Sequence, residues 1–320
     1  MFKPDVVCIG SATVDHILTI NQPFSQIHSG DKILVNSKSS YSGGGATNAA
    51  AAISTFGLKA AVISKLGEDH DAQFILHDLA KYNIKINPKK RSSKNTDNST
   101  IIVSEKDHDR IIYTHKGASQ DLHFHDIKKR HLRTKWMYLA TLVGASFKTA
   151  KEIAQYTKKK KRPLLFNPSL YLAKKGKTIL KPILEAASIL VLNKEEAQAL
   201  LKTKNTKPKT LLQELISLGP KTVIITDGPR MMWALSNNTI YTLNPPKIKI
   251  IDTAGAGDAF TGALLAALIK KYPLEKAMAL GQANASSIIQ YHGPKNILLT
   301  EKEALQQIKK QKIIVQKTII

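Results

Sequence analysis

Short apolar runs alternate with longer amphipathic stretches along most of this chain. Apolar runs bounded by turn residues predict buried strands, and stretches with apolar positions at helical spacing predict helices. The predicted strands are 6–10, 60–66, 136–141, 163–167, 189–192 and 223–226, and the predicted helices are 49–56, 71–82, 149–158, 179–187 and 274–291. Because strands that alternate with helices favour a parallel sheet covered on both faces, the expected fold class is α/β, with three layers in the order α/β/α.

Two regions of polar and apolar alternation interrupt that order in the first half of the chain. The first predicts short strands at 17–20 and 32–41, and the second predicts a hairpin of 99–103 with 110–115. The segment 85–98 between them is polar and basic, which predicts a loop. Toward the other end the pattern predicts a hairpin of 233–235 with 239–243, then a helix with a frayed extension over 302–320.

A strand, a glycine turn, an acid and a helix are predicted to follow one another over 247–269. Lys247 to Ile251 alternates between polar and apolar residues and predicts a strand, while Ala259 to Ile269 is almost wholly apolar and predicts a buried helix. The sequence between them ends in Gly-Ala-Gly-Asp at 255–258, termed the oxyanion turn below. Glycine lets the backbone approach a ligand, and the unpaired N–H groups of a first helical turn favour an anion. The pattern therefore predicts an anion site with a carboxylate, Asp258, beside it.

That carboxylate separates the interpretations of the turn. The dinucleotide fingerprint G-x-G-x-x-G is not met, because Phe260 stands at its last glycine. A P-loop is not met either, because Ala263 and Leu264 stand where Lys and Ser or Thr are required. An acid at a helix start can be a cap or a dipole-matched residue without chemistry. A kinase acting on alcohols gives Asp258 another role, since it needs a carboxylate to accept a hydroxyl proton beside donors that hold the moving phosphoryl group.

Three motifs spread along the chain resemble those of one known family. Residues 252–260 (DTAGAGDAF) resemble the C-terminal signature of the ribokinase-like (PfkB) kinases of carbohydrates and nucleosides. Residues 43–48 (GGGATN) resemble the family's N-terminal glycine signature, and residues 193–196 (NKEE) resemble its Asn-x-x-Glu motif. They occur in the family's order and at its usual separations, so the resemblance covers essentially the whole chain. It implies a ribokinase-like fold and ATP-dependent phosphorylation of a hydroxyl group of a small sugar, ribose-like or a hexose, with an adenosine-type nucleoside as the alternative.

The resemblance implies a role for each residue that matches a family motif. Asp258 is expected to accept the hydroxyl proton, and the amides of Gly255, Ala256 and Gly257 are expected to hold the charge of the phosphoryl group. The residues expected to bind the acceptor are Asp15, Gly44, Gly45 and Asn48, and those expected to bind the nucleotide are Asn193, Thr226, Gly228 and Asn284.

Metal and cation sites follow from the same resemblance. Mg²⁺ is the expected partner of the ATP phosphates, with Glu196 near it through water. Asp252 matches an acid of the family's monovalent-cation site, so the resemblance also allows activation by K⁺. The residue types leave alternatives open, because Asn193 with Glu196 also fits a capping box and Asp15 also fits a turn cap. Met231 stands where the family commonly has a second glycine, which leaves the shape of that nucleotide loop undecided.

The two β-rich regions resemble the family's small sheet, which covers the acceptor site as a lid. The lid is expected to be discontinuous, from about 16–42 and 97–118, within a single kinase domain that spans 1–320. Arg110 in its hairpin fits either a contact with the acceptor or its phosphate, or an ordinary surface position. Whether the lid edges of two chains pair into a homodimer is a question that one sequence leaves open.

Composition changes this picture little. The net charge of +24 comes largely from scattered lysine-rich clusters, such as 89–91 and 158–162, that are not interleaved with aromatic residues. A specific nucleic-acid partner is therefore not expected, although the charge favours anionic substrates such as nucleotides. The sequence has no apolar stretch as long as a membrane span and has one cysteine, Cys8, inside an apolar run. A cytoplasmic protein with Cys8 in its core is expected.

A non-catalytic protein that binds a sugar or a nucleotide on the same fold is the alternative from another functional class. The carboxylate at Asp258 argues against it, because a decayed site has no need to keep the proton acceptor. Activity of the wild type and of Asp258→Asn on a panel of acceptors separates the two.

Overall fold

Two β-sheets organise the part of the chain that the computed structural model describes, which is residues 3–88 and 90–320. Met1, Phe2 and Lys89 lie outside the described residues, and Lys89 belongs to one of the predicted basic clusters. In chain order the strands are β1 (Val6–Ile9), β2 (Thr13–Ile20), β3 (Ser37–Gly43), β4 (Ala60–Ile63), β5 (Lys85–Asn87), β6 (Asp97–Ser104), β7 (Asp109–His115), β8 (Trp136–Leu139), β9 (Leu164–Phe166), β10 (Ile189–Asn193), β11 (Thr222–Thr226), β12 (Met232–Ser236), β13 (Thr239–Leu243) and β14 (Val315–Ile319). The α-helices are α1 (Gly45–Thr55), α2 (His70–Lys81), α3 (Ser146–Lys159), α4 (Leu170–Ala173), α5 (Lys177–Leu184), α6 (Lys194–Leu201), α7 (Pro208–Ile216), α8 (Ala256–Ile269), α9 (Leu274–Ile288) and α10 (Glu301–Gln311).

The larger sheet is mainly parallel, as the sequence predicts. Its order is β14-β13-β12-β11-β10-β9-β8-β1-β4-β5, and the strands from β5 to β11 along it pair in parallel while the others pair antiparallel. Strand β1 shows why the sheet needs cover on both faces. Val6 and Cys8 pack into an apolar cluster with α1, α8 and α9, while Val7 and Ile9 pack into another with α3, α5, α6 and α7. The predicted three-layer α/β/α class is confirmed.

The carboxyl ends of the parallel strands meet at one edge of this sheet. Strand β10 ends at Asn193 and β11 at Thr226, and these two residues are paired in register. Open α/β sheets bind ligands outside the carboxyl ends of their strands, beside a point where the strand order reverses. The order reverses at β1, which has β8 on one side and β4 on the other. The fold therefore indicates a ligand site at this edge of the sheet, where the first turn of α8 also lies.

The smaller sheet has the order β3-β2-β6-β7. Strand β2 pairs antiparallel with β3 and parallel with β6, and β6 pairs antiparallel with β7, which confirms the predicted hairpin. At its root, the buried Oδ1 of Asp97 accepts the N–H groups of Gly117 and Ser119, both at 3.0 Å. The division into a kinase domain with a discontinuous lid stays a prediction, as does pairing of lids between chains.

Two predictions at the sheet edges are wrong. Residues 85–87, predicted as part of a loop, form the edge strand β5 on β4. The predicted frayed extension contains β14, which pairs antiparallel with β13 at the other edge. An edge strand has one neighbour and one solvated side, so its sequence can be polar and short and carries a weak hydrophobic pattern.

The segment before the oxyanion turn is also not the predicted strand. Lys247–Ile251 runs as irregular backbone after Pro245 and Pro246, which have no N–H group to donate to a strand. At its end the N–H groups of Ile251 and Asp252 donate to one carbonyl at the end of α9, that of Ile289, at 2.8 and 3.2 Å. This backbone is therefore held by α9 rather than by a neighbouring strand.

The remaining predicted strands and helices are present with shifted ends. Strand β3 begins at Ser37 rather than at 32, and both glycine-led helices begin earlier than predicted, α1 at Gly45 rather than Ala49 and α8 at Ala256 rather than Ala259. Cys8 is buried, as expected. Across the described residues, no helix combines the length and the apolar character needed to span a membrane.

Candidate active site

Helix α8 begins at the oxyanion turn. Gly255 caps it in a left-handed conformation (φ +74°), and a Cβ there would lie 2.6 Å from both the Cβ and the carbonyl oxygen of Pro294. Only glycine fits that conformation and that contact. Of the amides predicted to hold an anion, that of Ala256 already donates to Thr253 O at 3.3 Å. The first-turn N–H groups that follow Ala256 are the ones an anion can use.

The Asp258 carboxylate lies in the first turn of α8. Its Oδ2 accepts from Asn48 Nδ2 of α1 at 2.9 Å, so the two glycine motifs meet at this carboxylate. Its Oδ1 lies 3.4 Å from the position that a Cβ on Gly45 would take. Burial raises the pKa of Asp258, and the hydrogen bond from Asn48 and the charge of Lys295 oppose that rise. The arrangement suits a proton acceptor.

Two cavities adjoin the oxyanion turn. The larger, of about 1030 Å³, is lined by the predicted residues Gly45, Asn193, Glu196, Thr226, Gly228, Gly255, Ala256, Gly257 and Asp258. The smaller, of about 320 Å³, is lined by Asp15, Arg110 and Asp252. Ile250 and Thr253 line both, so the cavities share a border. Two ligands can thus lie side by side, separated by the segment that leads into the oxyanion turn.

The triple-glycine turn, residues 43–45, packs against the strand that carries Asp15. A Cβ on Gly43 would lie 2.7 Å from Asp15 Oδ2. Gly44 is left-handed (φ +99°), and a Cβ on it would lie 2.5 Å from Ser11 O. Burial raises the pKa of Asp15, and Ser99, its register partner on β6, opposes that rise. Glycine is needed at positions 43 and 44 because any side chain there would prevent the turn from approaching Asp15 and its strand. The Asp15 carboxylate is therefore in a position to do more than cap a turn.

Asn193 and Glu196 form the capping box and also line the larger cavity. The Asn193 Oδ1 accepts the Glu196 N–H and the Glu196 Oε2 accepts the Asn193 N–H, both at 2.8 Å. Burial raises the pKa of Glu196 to about 7, and the charge of Asp258 adds to the rise. The box fixes both side chains at the end of β10, where they face the same cavity as Asp258.

The loop after β11, residues 227–231, is closed by an ion pair. Arg230 binds both carboxylate oxygens of Asp227, at 2.7 and 3.0 Å, and its N–H donates to Asp227 O at 3.0 Å. Lys194 Nζ lies 3.6 Å from Asp227 Oδ2. Gly228 takes the left-handed position (φ +57°). The loop therefore forms a closed turn with Met231 in place of the family's second glycine.

Asn284, predicted to bind the nucleotide, lines neither of the two cavities. Its side chain is fully buried, with Oδ1 accepting the Leu299 N–H at 2.9 Å and Nδ2 donating to Ala259 O at 3.5 Å. It ties α9 to α8 and to the chain before α10. On the same helix, Gln282 and Ser286 line the larger cavity instead.

The Asp252 carboxylate organises the backbone around the smaller cavity. Its Oδ1 accepts the Ala254 N–H at 2.9 Å and its Oδ2 accepts the Gly293 N–H at 3.1 Å. Arg110 Nη1 lies 3.7 Å from Oδ1. Arg110 lines the smaller cavity, and its side chain is 45% exposed.

Two residues near Asp258 have no counterpart among the predicted site residues. Tyr138 of β8 is fully buried, and its hydroxyl donates to Asn167 Oδ1 at 3.0 Å. Burial raises the pKa of Tyr138, and the Asp258 charge adds to the rise. Lys295 lies in the connection between α9 and α10 and is 6% exposed. Tyr138 belongs to an apolar run that signals only a core strand, whereas the Gly293-Pro294 pair before Lys295 signals a tight approach of the backbone.

Comparisons with known proteins find similarity over nearly the whole chain. A model of the pfkB family carbohydrate kinases matches residues 3–301. A nucleoside kinase of Methanocaldococcus jannaschii is 25% identical over 96% of this chain and 98% of its own, and a ribokinase of Staphylococcus aureus is 26% identical over 90% and 94%. Among solved structures, an Arabidopsis thaliana ribokinase complexed with ribose and ATP aligns with a TM-score of 0.82 at 20% identity, over 96% of this chain and 99% of that one. The predicted ribokinase-like fold is confirmed.

Proposed function

The chain belongs to the pfkB family of carbohydrate kinases, and we propose that it transfers the γ-phosphoryl group of ATP to a hydroxyl group of a small sugar. One observation carries the proposal. The Asp258 carboxylate lies in the first turn of α8, beside a cavity that holds the other predicted phosphate-side residues, and Asn48 of the other glycine motif binds it. A helix-capping role gives no reason for a partner from α1.

In the proposed reaction the acceptor hydroxyl gives its proton to Asp258 as its oxygen attacks the γ-phosphorus. Asn48 engages Oδ2, so Oδ1, on the side of Gly45, is the oxygen that takes the proton. The bond from the γ-phosphorus to the β,γ-bridging oxygen breaks as the new P–O bond forms, and ADP leaves with that electron pair. First-turn N–H groups of α8 hold the charge of the group in transit.

Mg²⁺ is proposed to accompany ATP, and Glu196 is the residue that fits it. Among the described residues, acids, histidines and cysteines form no group of three that could hold a metal. Mg²⁺ commonly keeps several waters and binds through one or two carboxylates with the substrate phosphates, so a single acid suits it. A nearby cation would also favour the carboxylate form of Glu196, which burial disfavours. When bound, the ion would neutralise charge on the phosphates.

Glu196→Gln is expected to raise the KM for MgATP about tenfold and to flatten its pH dependence. Burial raises the pKa of Glu196 from 4.5 to about 7, so its carboxylate form is lost as the pH falls through that value. The KM of the wild type, measured across neutral pH, should therefore rise on the acid side, whereas that of the variant should stay level. Glu195→Gln, an exposed acid on the same turn, is the matched control and should follow the wild type. A wild-type KM that does not change across neutral pH contradicts the assignment.

Activation by K⁺ stays a prediction, and Asp252 is the residue through which it would act. Both carboxylate oxygens already accept main-chain N–H groups, and Arg110 adds a positive charge 3.7 Å away. Turnover in KCl and NaCl at equal ionic strength tests the prediction. Faster turnover in KCl supports a cation site, and equal rates contradict it.

A nucleoside acceptor is the second candidate, and the smaller cavity gives a specific reason for it. Its volume is about 320 Å³, at the lower end of the range of roughly 300 to 1,000 Å³ for drug-sized ligands and more than a pentose alone fills. Ile17, Ile101 and Val103 line it from the small sheet, with Ile17 and Ile101 paired in register. A free sugar carries hydroxyl groups around its ring, whereas a nucleobase offers a flat face that can cover these apolar side chains.

Ile101→Thr is expected to distinguish the two acceptors. Threonine keeps the β-branched shape but removes apolar area and adds a hydroxyl group to the cavity wall. The KM for a nucleoside should rise about tenfold, while the KM for ribose should change little. Ile102→Thr is the matched control, because its side chain points to the opposite face of the same strand. Equal losses with both acceptors would exclude a nucleobase at this wall.

Consumption of ATP with a panel of sugars and nucleosides tests the proposed function itself. Turnover with a sugar and not with its nucleoside supports the first candidate, and the reverse supports the second. Calorimetric binding of a sugar or a nucleotide without turnover of any acceptor would instead support a non-catalytic binding protein.

A further inference from the structure

The buried ammonium group of Lys295 lies close to both glycine turns of the candidate site. Lys295 follows Gly293 and Pro294 between α9 and α10 and is 6% exposed, and lysine is rarely so buried unless it is paired. Its Nζ lies 2.6 Å from Asp78 Oδ2 of α2 and donates to Ser42 Oγ of β3 at 2.9 Å. Neither contact belongs to a predicted motif.

Residues 293–295 join the two turns that form the site. The Gly293 N–H donates to Asp252 Oδ2 at 3.1 Å, and Pro294 occupies the space that a Cβ on Gly255 would need. Ser42, which Lys295 binds, directly precedes the triple-glycine turn. One short segment therefore sets the distance between the oxyanion turn and the triple-glycine turn.

Lys295 also balances negative charge on both sides of the site. Burial lowers its pKa, and the carboxylates of Asp78, Asp258 and Asp15 oppose that change. In the other direction, Lys295 opposes the rise that burial causes in the pKa of Asp258. The other titratable groups that interact with Asp258 are Tyr138 of β8, Cys8 of β1 and Glu196 of α6. Among these groups, which all lie in the described part of the chain, Lys295 alone carries a positive charge.

We infer that Lys295 is a positioning residue, which holds the triple-glycine turn against the oxyanion turn and supplies the positive charge that balances Asp258, without touching the acceptor or the phosphoryl group. The inference rests on the proposed function, because it takes Asp258 as the proton acceptor. Packing alone does not explain an ammonium group here, since apolar residues of similar volume often replace a buried ion pair without loss of stability.

Lys295→Met tests the charge. The kcat should fall roughly 10- to 100-fold, because the reacting groups lose their alignment. The acid limb of the kcat/KM profile should move to higher pH, because Asp258 loses an opposing positive charge. Lys295→Arg keeps the charge and should return the limb toward its wild-type position. A folded Lys295→Met variant with the wild-type acid limb overturns the inference.

Lys65→Met is the matched control. Lys65 is 4% exposed and its Nζ lies 2.7 Å from Asp126 Oδ2, so the variant breaks another ion pair of a buried lysine, elsewhere in the molecule. It should lower the Tm without moving the acid limb. If it moves the limb as far as Lys295→Met does, the effect is a general consequence of lost stability and the inference fails.

Ser42→Ala covers the case in which Lys295→Met does not fold. It removes only the hydroxyl group through which Lys295 holds the strand before the triple-glycine turn. The acceptor KM should rise with a small change in Tm. An unchanged KM overturns the inference that Lys295 holds the triple-glycine turn against the oxyanion turn. Should the wild type turn over no acceptor, the proposed function fails by itself. A ¹³C NMR titration of the Asp258 carboxyl group in wild type and Lys295→Met then tests the charge without turnover, and coinciding titrations overturn it.

Discussion

Asp258→Asn is expected to lower kcat about 10²- to 10⁴-fold, which is what a positioned general base typically contributes. The amide has the shape of the carboxyl group and can still accept from Asn48, but it cannot take the hydroxyl proton. The KM for ATP should change much less, because the first-turn N–H groups of α8 remain. Steady-state kinetics with the best acceptor of the panel measure both constants.

Asp71→Asn is the control for this substitution, since Asp71 is also an acid in the first turn of a helix, α2. It should leave kcat close to that of the wild type. A wild-type kcat for Asp258→Asn would reduce Asp258 to a residue that matches the helix dipole, and the proposed proton transfer would have no acceptor.

Stability should respond in the opposite direction to activity. Burial raises the pKa of Asp258 in the folded state, so its ionisation opposes folding above that pKa and has no effect below the pKa of the unfolded chain. Asparagine is neutral at every pH and removes this cost. The Tm of Asp258→Asn should therefore equal or exceed that of the wild type at neutral pH, and the gain should vanish in acid. A stability gain coupled to a loss of activity is typical of a functional carboxylate.

Local physics accounts for what the sequence predicts well. The apolar runs of β1, β10 and β11 belong to strands that are buried on both faces. A continuous apolar run is typical of strands in a parallel sheet covered on both faces, so the sequence identifies them. Gly255 and Gly44 have left-handed backbones against close neighbours, which is what a glycine turn before a helix indicates. Where the determinant lies within a few neighbouring residues, the sequence suffices.

The predictions fail where a distant partner decides the structure. The alternation of Lys247–Ile251 predicts a strand, but a carbonyl at the end of α9 takes its last N–H groups. Asn284 is polar on a helix that lines the larger cavity, yet its side chain bonds to the Leu299 N–H and to Ala259 O. Lysine in a connection between helices usually lies on the surface. Lys295 is buried instead, because Asp78 of α2 and Ser42 of β3 bind its ammonium group. These contacts join residues far apart in the sequence, so neither hydrophobic periodicity nor motif spacing predicts them.

Gly255→Ala is expected to have the second large effect, with kcat lowered about 10²- to 10³-fold, as for loss of an oxyanion donor. A Cβ there would lie 2.6 Å from the Cβ and the oxygen of Pro294, and the left-handed φ of +74° disfavours any side chain. Holding alanine in such a conformation costs on the order of 1–3 kcal/mol. The turn should therefore shift away from Pro294 and carry the first-turn N–H groups of α8 with it. Kinetics and thermal unfolding measure the two losses together.

Gly257→Ala is the matched control, because it adds the same methyl group two residues later. A Cβ on Gly257 would have nothing within 4 Å, and the residue lies within the helix α8. Alanine is favoured over glycine there by up to about 1 kcal/mol, so the Tm should not fall, and any loss of activity should come as a higher KM for ATP from a methyl group in the larger cavity. If both variants lose stability and kcat alike, the contact of Gly255 with Pro294 does not position the donors. If only Gly255→Ala does so, the chain needs that one glycine for geometry and the other for access, which is the division of labour expected of a turn that holds a phosphoryl group.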